Sequence, residues 1–376
     1  LIINGKAEKT GSGDSLLSFK TTDSEYQKIA AGFFYDKNVE LILNELINPL
    51  NSCISSLDEI DLVGYRLIHS PSKGVSCMKV TDELINFMKV SVPLAPLHYP
   101  AYIEVFRTIG RILPGVLQAG VFDSFLYDSL PLKALLYGIP VRWYRENNIR
   151  RYGFHGISHN YAVHRVCKLT GIDFHNSRII SCHLGNGSSL TAFKNGKAVD
   201  TSMGMTPVEG LLMGTRTGDI DAGVILHLQQ NYNFTPEDIQ RLINRESGLL
   251  GLSGVSSDYR AVEKAASEGN MNAETALEVM HYRIKKYVGA YAAALEGLDA
   301  LIFTGGIGEN STNVRKTVCT GMEFLGISLS ARLNSEMNGR EGIINKGNSK
   351  VKIVIIPANE ELVIARETSA LTKAEV

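Results

Sequence analysis

Between residues 154 and 219 stand Phe154-His155-Gly156, His183-Leu184-Gly185-Asn186-Gly187 and Gly214-Thr215-Arg216-Thr217-Gly218-Asp219, each of which sets a polar or charged side chain among glycines. Further on come Gly305-Gly306-Ile307-Gly308-Glu309-Asn310 and Asn359-Glu360-Glu361. Glycine lets a backbone approach an anion closely. Histidine, asparagine and arginine offer donors to phosphoryl oxygens, and a neighbouring carboxylate can hold a magnesium ion. The combination points to phosphate chemistry.

Taken singly, each residue keeps a plainer alternative. Arg66 lies in the strand-like run Gly64-Tyr65-Arg66-Leu67-Ile68-His69, where a buried guanidinium needs either a ligand anion or a structural ion pair. Glycines on both sides of Arg216 favour an open ligand loop there. Asp123 ends the run Val121-Phe122-Asp123, the carboxyl end at which α/β sheets place ligands. It is suited to hold magnesium, to orient a nucleophile or to cap a turn. His155 follows Arg150-Arg151-Tyr152-Gly153, so a donor to a phosphoryl group and a satisfied core histidine are both open readings. His183 and Asn186 occupy a strand and the glycine loop after it, a place where backbone amides meet phosphate. Asp258, Tyr259 and Arg260 are placed to contact a ribose or base, or merely to cap a helix. Gly305, Gly306, Ile307, Gly308 and Asn310 follow a strand, the context a nucleotide loop requires.

The elements that must position these residues are an alternation of strands and helices. Short apolar runs at 62–68, 116–122, 179–184, 301–303 and 351–356 predict buried strands. Asn195-Gly196 predicts a type I′ hairpin between 189–193 and 198–200, so part of the sheet is antiparallel. Thr235-Pro236-Glu237-Asp238 starts a helix running to about Arg245. A longer helix after Asn272 sets Leu277, Met280, Ile284, Val288, Tyr291 and Leu295 on one face before Gly297 stops it. Core packing or a subunit interface is the plainer reading of that stripe. The fold class is therefore α/β with mixed sheets.

A chain of 376 residues predicts two domains with a ligand cleft between them. A formal charge of -1 argues against general nucleic-acid binding. Five scattered cysteines without a C-x-x-C pair fit a reducing cytoplasm, and no apolar run long enough for a membrane span is present. Leu1-Ile2-Ile3-Asn4-Gly5 reads as the interior of a sheet, so residues are expected upstream of Leu1. The motifs of P-loop ATPases, protein kinases, zincins and α/β-hydrolases are missing from the sequence.

Together these segments, with Pro93-Leu94-Ala95-Pro96-Leu97-His98, Met205 to Asp219, Ser247 to Ser257 and Pro357 to Leu362, resemble the acetokinase family of the sugar kinase, actin and heat-shock ATPase superfamily. The likeness runs in order from about Gly5 to Thr372. It implies two domains of duplicated ribonuclease-H-like fold, here 1–124 completed by about 360–376 and then 125–359, with the active site between them and a homodimeric assembly. It implies magnesium-dependent transfer of the ATP γ-phosphoryl group to acetate, giving acetyl phosphate and ADP, in the cytoplasm. By the same resemblance Arg66 and Arg216 bind the acetate carboxylate and the migrating phosphoryl group. His155 stabilises the transition state with His98 nearby, and Asp123 and Glu360 place magnesium and the nucleophile. His183, Asn186 and Gly187 meet ATP phosphates, while Asp258, Tyr259, Arg260 and the loop from Gly305 to Asn310 hold the adenosine side. Ile68, Leu97, Phe154 and Pro207 line the acyl pocket, and a bulky Ile68 favours acetate over propionate, though one methylene is worth only about 1–3 kcal/mol.

Four departures from the family pattern stand out. Its Asn-x-Gly-Ser-Ser-Ser-x-Lys phosphate loop is expected upstream of Leu1. Its His-Gly-Gly after the first arginine is here His69-Ser70-Pro71, with Tyr65 in place of the histidine before that arginine, and its Asp-Thr-Ala-Phe-His is Asp123-Ser124-Phe125-Leu126-Tyr127. The alternatives are a nucleotide-binding member with little transfer activity, or a kinase for propionate or butyrate. A pyrophosphate donor would keep the same arginines and histidine.

Overall fold

The computed structural model describes residues 3–9, 13–21, 24–51, 53–92 and 98–373. Contacts divide the chain into one unit of 1–67, 77–121 and 364–376 and a second of 68–76 and 122–363.

In the first unit β1 (Ile3–Lys9), β2 (Ser15–Thr21) and β3 (Glu25–Ala30) form an antiparallel sheet in that order. Leu17 and Phe19, two apart on β2, turn to the same buried face. A second sheet has the order β4 (Leu62–Leu67), β6 (Leu117–Phe122), β5 (Cys77–Lys79). Helices Tyr35–Leu46 and Tyr99–Ile112 meet through Leu43, Ile109 and Leu113. Gly64 matters because a Cβ there would stand 2.7 Å from side-chain atoms of Ile364 and Thr368, on the Glu360–Lys373 helix. The missing side chain admits that helix against the strand.

The second unit is organised by a six-stranded mixed sheet ordered β11 (Gly342–Ile343), β12 (Lys352–Ile355), β10 (Ala300–Thr304), β7 (Arg178–Leu184), β8 (Ser188–Lys194), β9 (Lys197–Thr201). The three middle strands β12, β10 and β7 run parallel, and the outer ones antiparallel. Both faces are covered, and the pleat sorts the side chains. Ile180, Cys182, Leu301 and Phe303 join one apolar layer with Met280, Ile284 and Val288 of the Met271–Leu295 helix. Ile179, Phe193, Ala300 and Ile302 join the other with Ala162, Val163 and Val166 of the Gly156–Thr170 helix. Fully burying each of the larger of these, the Val, Leu, Ile, Met and Phe side chains, stabilises by about 1.5–3 kcal/mol.

The expected mixed α/β architecture, the hairpin and the long helix are all present. Asn195 and Gly196 have φ of 52° and 81°, as a type I′ turn requires. All six stripe residues of the long helix are buried, though its left-handed end falls on Glu296, ahead of Gly297. The helix beginning at Pro236 is capped by a Thr235–Asp238 box, and its last turn is π-helical over Leu242–Glu246. What matters for the site is the register Thr304↔His183. Neighbouring parallel strands end side by side, so the loop after His183 and the short Gly305–Asn310 helix leave the same edge of the sheet.

Candidate active site

Asp123 follows β6 and is buried. Its Oδ2 accepts from the backbone N–H of His155 at 2.8 Å, its Oδ1 from that of Ile157 at 3.3 Å, and its carbonyl from Gly156 at 2.9 Å. The carboxylate thus satisfies amides at the start of the Gly156–Thr170 helix, where a negative charge is favoured. At the same turn Ser158 donates its hydroxyl to Glu360. Two carboxylates therefore meet one helix start. His155 holds a left-handed backbone, φ 57°, which is uncommon for a residue with a side chain.

Gly187 shows where donors converge. A Cβ placed on it would stand 3.3 Å from Arg216 Nη1 and 3.5 Å from His155 Nε2. The imidazole of His183 lies 4.5 Å from that of His155, tilted by 30°. The Asn186 carbonyl accepts from the N–H of Gly214 at 3.0 Å, and the Asn186 side chain occupies the space above that glycine. Arg216 is half-buried, and its Nη1 donates to the Pro207 carbonyl at 3.3 Å and faces Met213 Sδ at 3.7 Å. Both partners are neutral, and burial lowers the pKa of the guanidinium. An anion brought beside it would offset that desolvation.

Next to this cluster opens a pocket of about 530 Å³, lined by Asn186, Asp258, Tyr259, Arg260, Gly306, Ile307 and Asn310 together with Glu263 and Ser311. The size suits a small-molecule site. Asp258 caps the Tyr259–Ser267 helix and pairs with Arg260 at 2.6 Å, so the capping role and a place on the pocket wall coincide. Tyr259 is buried, its hydroxyl 3.2 Å from His281 Nε2, and burial pushes that hydroxyl's pKa up. Gly305 and Gly308 are buried beneath the pocket rather than on its wall. Gly305 has φ 77°, and a Cβ there would meet the Leu184 carbonyl at 2.7 Å. Where the sequence suggests a loop, Gly305–Asn310 forms a short helix, and Arg315 locks it from behind. Its Nη1 donates to the carbonyls of Gly308 and Glu309 at 2.7 and 2.8 Å, and Glu309 in turn accepts from the N–H of Ala358.

Ile68 and Phe154 pack with Met203 and Met213, two residues that the sequence did not flag. The basic pair beside His155 is used structurally. Arg151 pairs with Glu209 and donates to the carbonyls of Thr201 and Met203, while Arg150 meets Asp128 at 3.5 Å and stacks over Tyr152. Arg66 corrects an expectation. Arg66 is exposed rather than buried, while its neighbour Leu67 on β4 is fully buried on the opposite face. His98, also exposed, immediately precedes the Tyr99–Ile112 helix in the first unit, and Leu97 lies outside the described residues.

Glycine turns at the ends of parallel strands, two donors aimed at one turn and an adjoining pocket make an arrangement suited to phosphate on an α/β scaffold. The acetokinase family pattern matches residues 2–366, and the chain belongs to that family. It is 42% identical over 376 residues to an acetate kinase of Pseudothermotoga lettingae, covering 100% of this chain and 93% of that one. The crystal structure of Porphyromonas gingivalis acetate kinase superposes with a TM-score of 0.92 at 44% identity, covering 99% of this chain and 93% of that one. A propionate kinase of Francisella tularensis gives 0.90 at 34% identity, covering 98% and 93%. No helix among the described residues is long and apolar enough to cross a membrane.

Proposed function

We propose that this chain transfers the γ-phosphoryl group of ATP reversibly to acetate, giving acetyl phosphate and ADP. The convergence of Arg216 Nη1 and His155 Nε2 on Gly187, beside the pocket, carries this reading. An acetate oxygen forms the new bond to the γ-phosphorus as the bond to the bridging oxygen of ADP breaks. Charge then spreads over the equatorial oxygens, and the task of the protein is to aim donors at them. Arg216, without a carboxylate partner among the described residues, supplies fixed positive charge. His155 supplies a second donor, and Asn186 and Gly187 bring amide groups to the nucleotide phosphates. Arg66 and His98 belong to the proposal through the family resemblance alone.

Magnesium fits the donor set. Among the described residues no group of three or more His, Cys, Asp or Glu could cage a metal, but magnesium is commonly held by one or two carboxylates, water and substrate phosphates. Asp123 and Glu360 would hold it, and the ion would neutralise phosphate charge. Ile68, packed on Phe154, Met203 and Met213, narrows the acyl side and favours acetate over propionate. The Ala222–Tyr232 helix buries none of its residues and leaves Val224, Leu226 and Tyr232 exposed, which supports a homodimer built on that face. All five cysteines are free, which fits a reducing cytoplasm.

The test is a hydroxamate assay for acetyl phosphate with ATP, magnesium and acetate. Product that depends on all three is expected. Its absence would overturn the reading.

A further inference from the structure

We propose that Ser181, His159 and Ser189 are positioning residues that fix the tautomer of His155, keeping its proton on Nε2, the nitrogen facing Arg216. The proposal rests on the reading of His155 as a phosphoryl contact. All three residues are buried and lie behind the imidazole. Ser181 Oγ is 2.9 Å from His159 Nδ1, His159 Nε2 is 2.8 Å from Ser189 Oγ, and Ser189 Oγ is 2.8 Å from His155 Nδ1.

The chain joins four residues through three links and has few protons, so its direction follows from counting them. A serine hydroxyl donates once, and a neutral imidazole carries one N–H and one lone pair. Suppose Ser181 donates to His159 Nδ1. Then His159 Nε2–H donates to Ser189, Ser189 donates to His155 Nδ1, and His155 keeps its N–H on Nε2. Each link then carries one proton, and the proton left over sits on the half-buried His155 Nε2 rather than on a fully buried serine.

The reverse arrangement starts from His155 Nδ1–H. It ends with His159 Nδ1–H on Ser181 Oγ, whose own proton then has no acceptor among the described residues. A third arrangement, in which both imidazoles donate to Ser189, strands the Ser189 proton in the same way. A buried hydroxyl without an acceptor is costly. Protonating His159 would recreate the stranded Ser181 proton, and burial together with the nearby His183 keeps His159 neutral.

The consequence is geometric. The Nε2–H of His155 is presented toward Gly187 and Arg216 by a rigid set of neutral groups, with no rearrangement at the moment of transfer. Ser181 never touches His155, so its effect must travel through the chain. The sequence held a hint in the spacing of four between His155 and His159 across a helix start.

The experiment is nitrogen-15 NMR of the full protein labelled at its histidines, with His155→Gln used to assign the His155 resonances, alongside kinetics. In the unsubstituted protein the neutral His155 should show a protonated Nε2 and a bare Nδ1. Ser181→Ala, a small change remote from substrate, should give a mixed tautomer. Turnover should fall by roughly the share of competent tautomer lost, about twofold to tenfold, with the KM for ATP and acetate within about twofold. Ser189→Ala should act in the same direction and more strongly. Unchanged His155 spectra in both variants, or a Nδ1-protonated His155 in the parent protein, would overturn the proposal. If the tautomer shifts while the parent protein makes no acetyl phosphate, the positioning chain stands and the phosphoryl reading falls.

Discussion

Arg216 and Arg315 are both desolvated cations without a carboxylate partner among the described residues, yet the protein treats them oppositely. Arg315 is fully buried, and its donors go to Asn334 Oδ1, the carbonyls of Gly308, Glu309 and Asn334, and Asn338 Oδ1. Burial lowers its pKa to about 10. Arg216 is half-buried and makes one hydrogen bond to a carbonyl and one weak contact to sulfur. A saturated guanidinium is part of the scaffold, whereas an unsaturated one at a glycine loop is held ready for a ligand. Burial alone does not separate the two, but the count of satisfied N–H groups does.

Substitutions can break that comparison. Arg216→Ala should lower kcat by roughly 10³–10⁵, with a urea midpoint close to that of the parent protein. An unfolded Arg216→Ala would place it with Arg315 instead. Arg66→Ala should likewise nearly abolish turnover without unfolding the exposed strand, and near-normal kcat would remove Arg66 from the chemistry. Arg315→Met should behave in the opposite way. It leaves five acceptors unsatisfied and should cost about 3–5 kcal/mol in urea unfolding. Nucleotide binding should weaken only as the Gly305 loop loosens.

His281 gives a smaller test, by pH. Burial holds its pKa at about 4, below the ordinary 6.5. In this group the neutral form is favoured by folding, so its stabilising contribution is intact above pH 6.5. As pH falls from there toward 4 the unfolded chain binds the proton first, and stability drops by roughly 1.4 kcal/mol per pH unit. His281→Phe should flatten that part of the profile, and an unchanged slope would clear His281. Leu226→Lys, on the Ala222–Tyr232 helix, should leave the fold intact and turn a dimer into monomers by light scattering. A dimer that persists would move the interface elsewhere.

The contrast also explains what could be read from the sequence. Strand ends and the Asn195-Gly196 turn are local signals, and the structure places them as expected, whereas Gly305–Asn310 is a short helix where the glycines suggest a loop. Arg315 sits in Asn313-Val314-Arg315-Lys316 with nothing local to mark it, because its acceptors come from Gly308 and from Asn334 and Asn338. Met203 and Met213 likewise become neighbours of Phe154 only through tertiary folding. The exposure of Arg66 escapes the sequence for a related reason. An apolar run marks a strand, but which face of it lies against the core depends on strands far away in sequence.

The left-handed backbone at His155 has a consequence for descent. Glycine or asparagine would sit there with less strain, so folding stability on its own pulls that position away from histidine. A lineage released from the demand for turnover would gain by the exchange. If His155 meets the phosphoryl group as proposed, active descendants should keep an imidazole at this ill-suited backbone, and one that has exchanged it should have lost turnover.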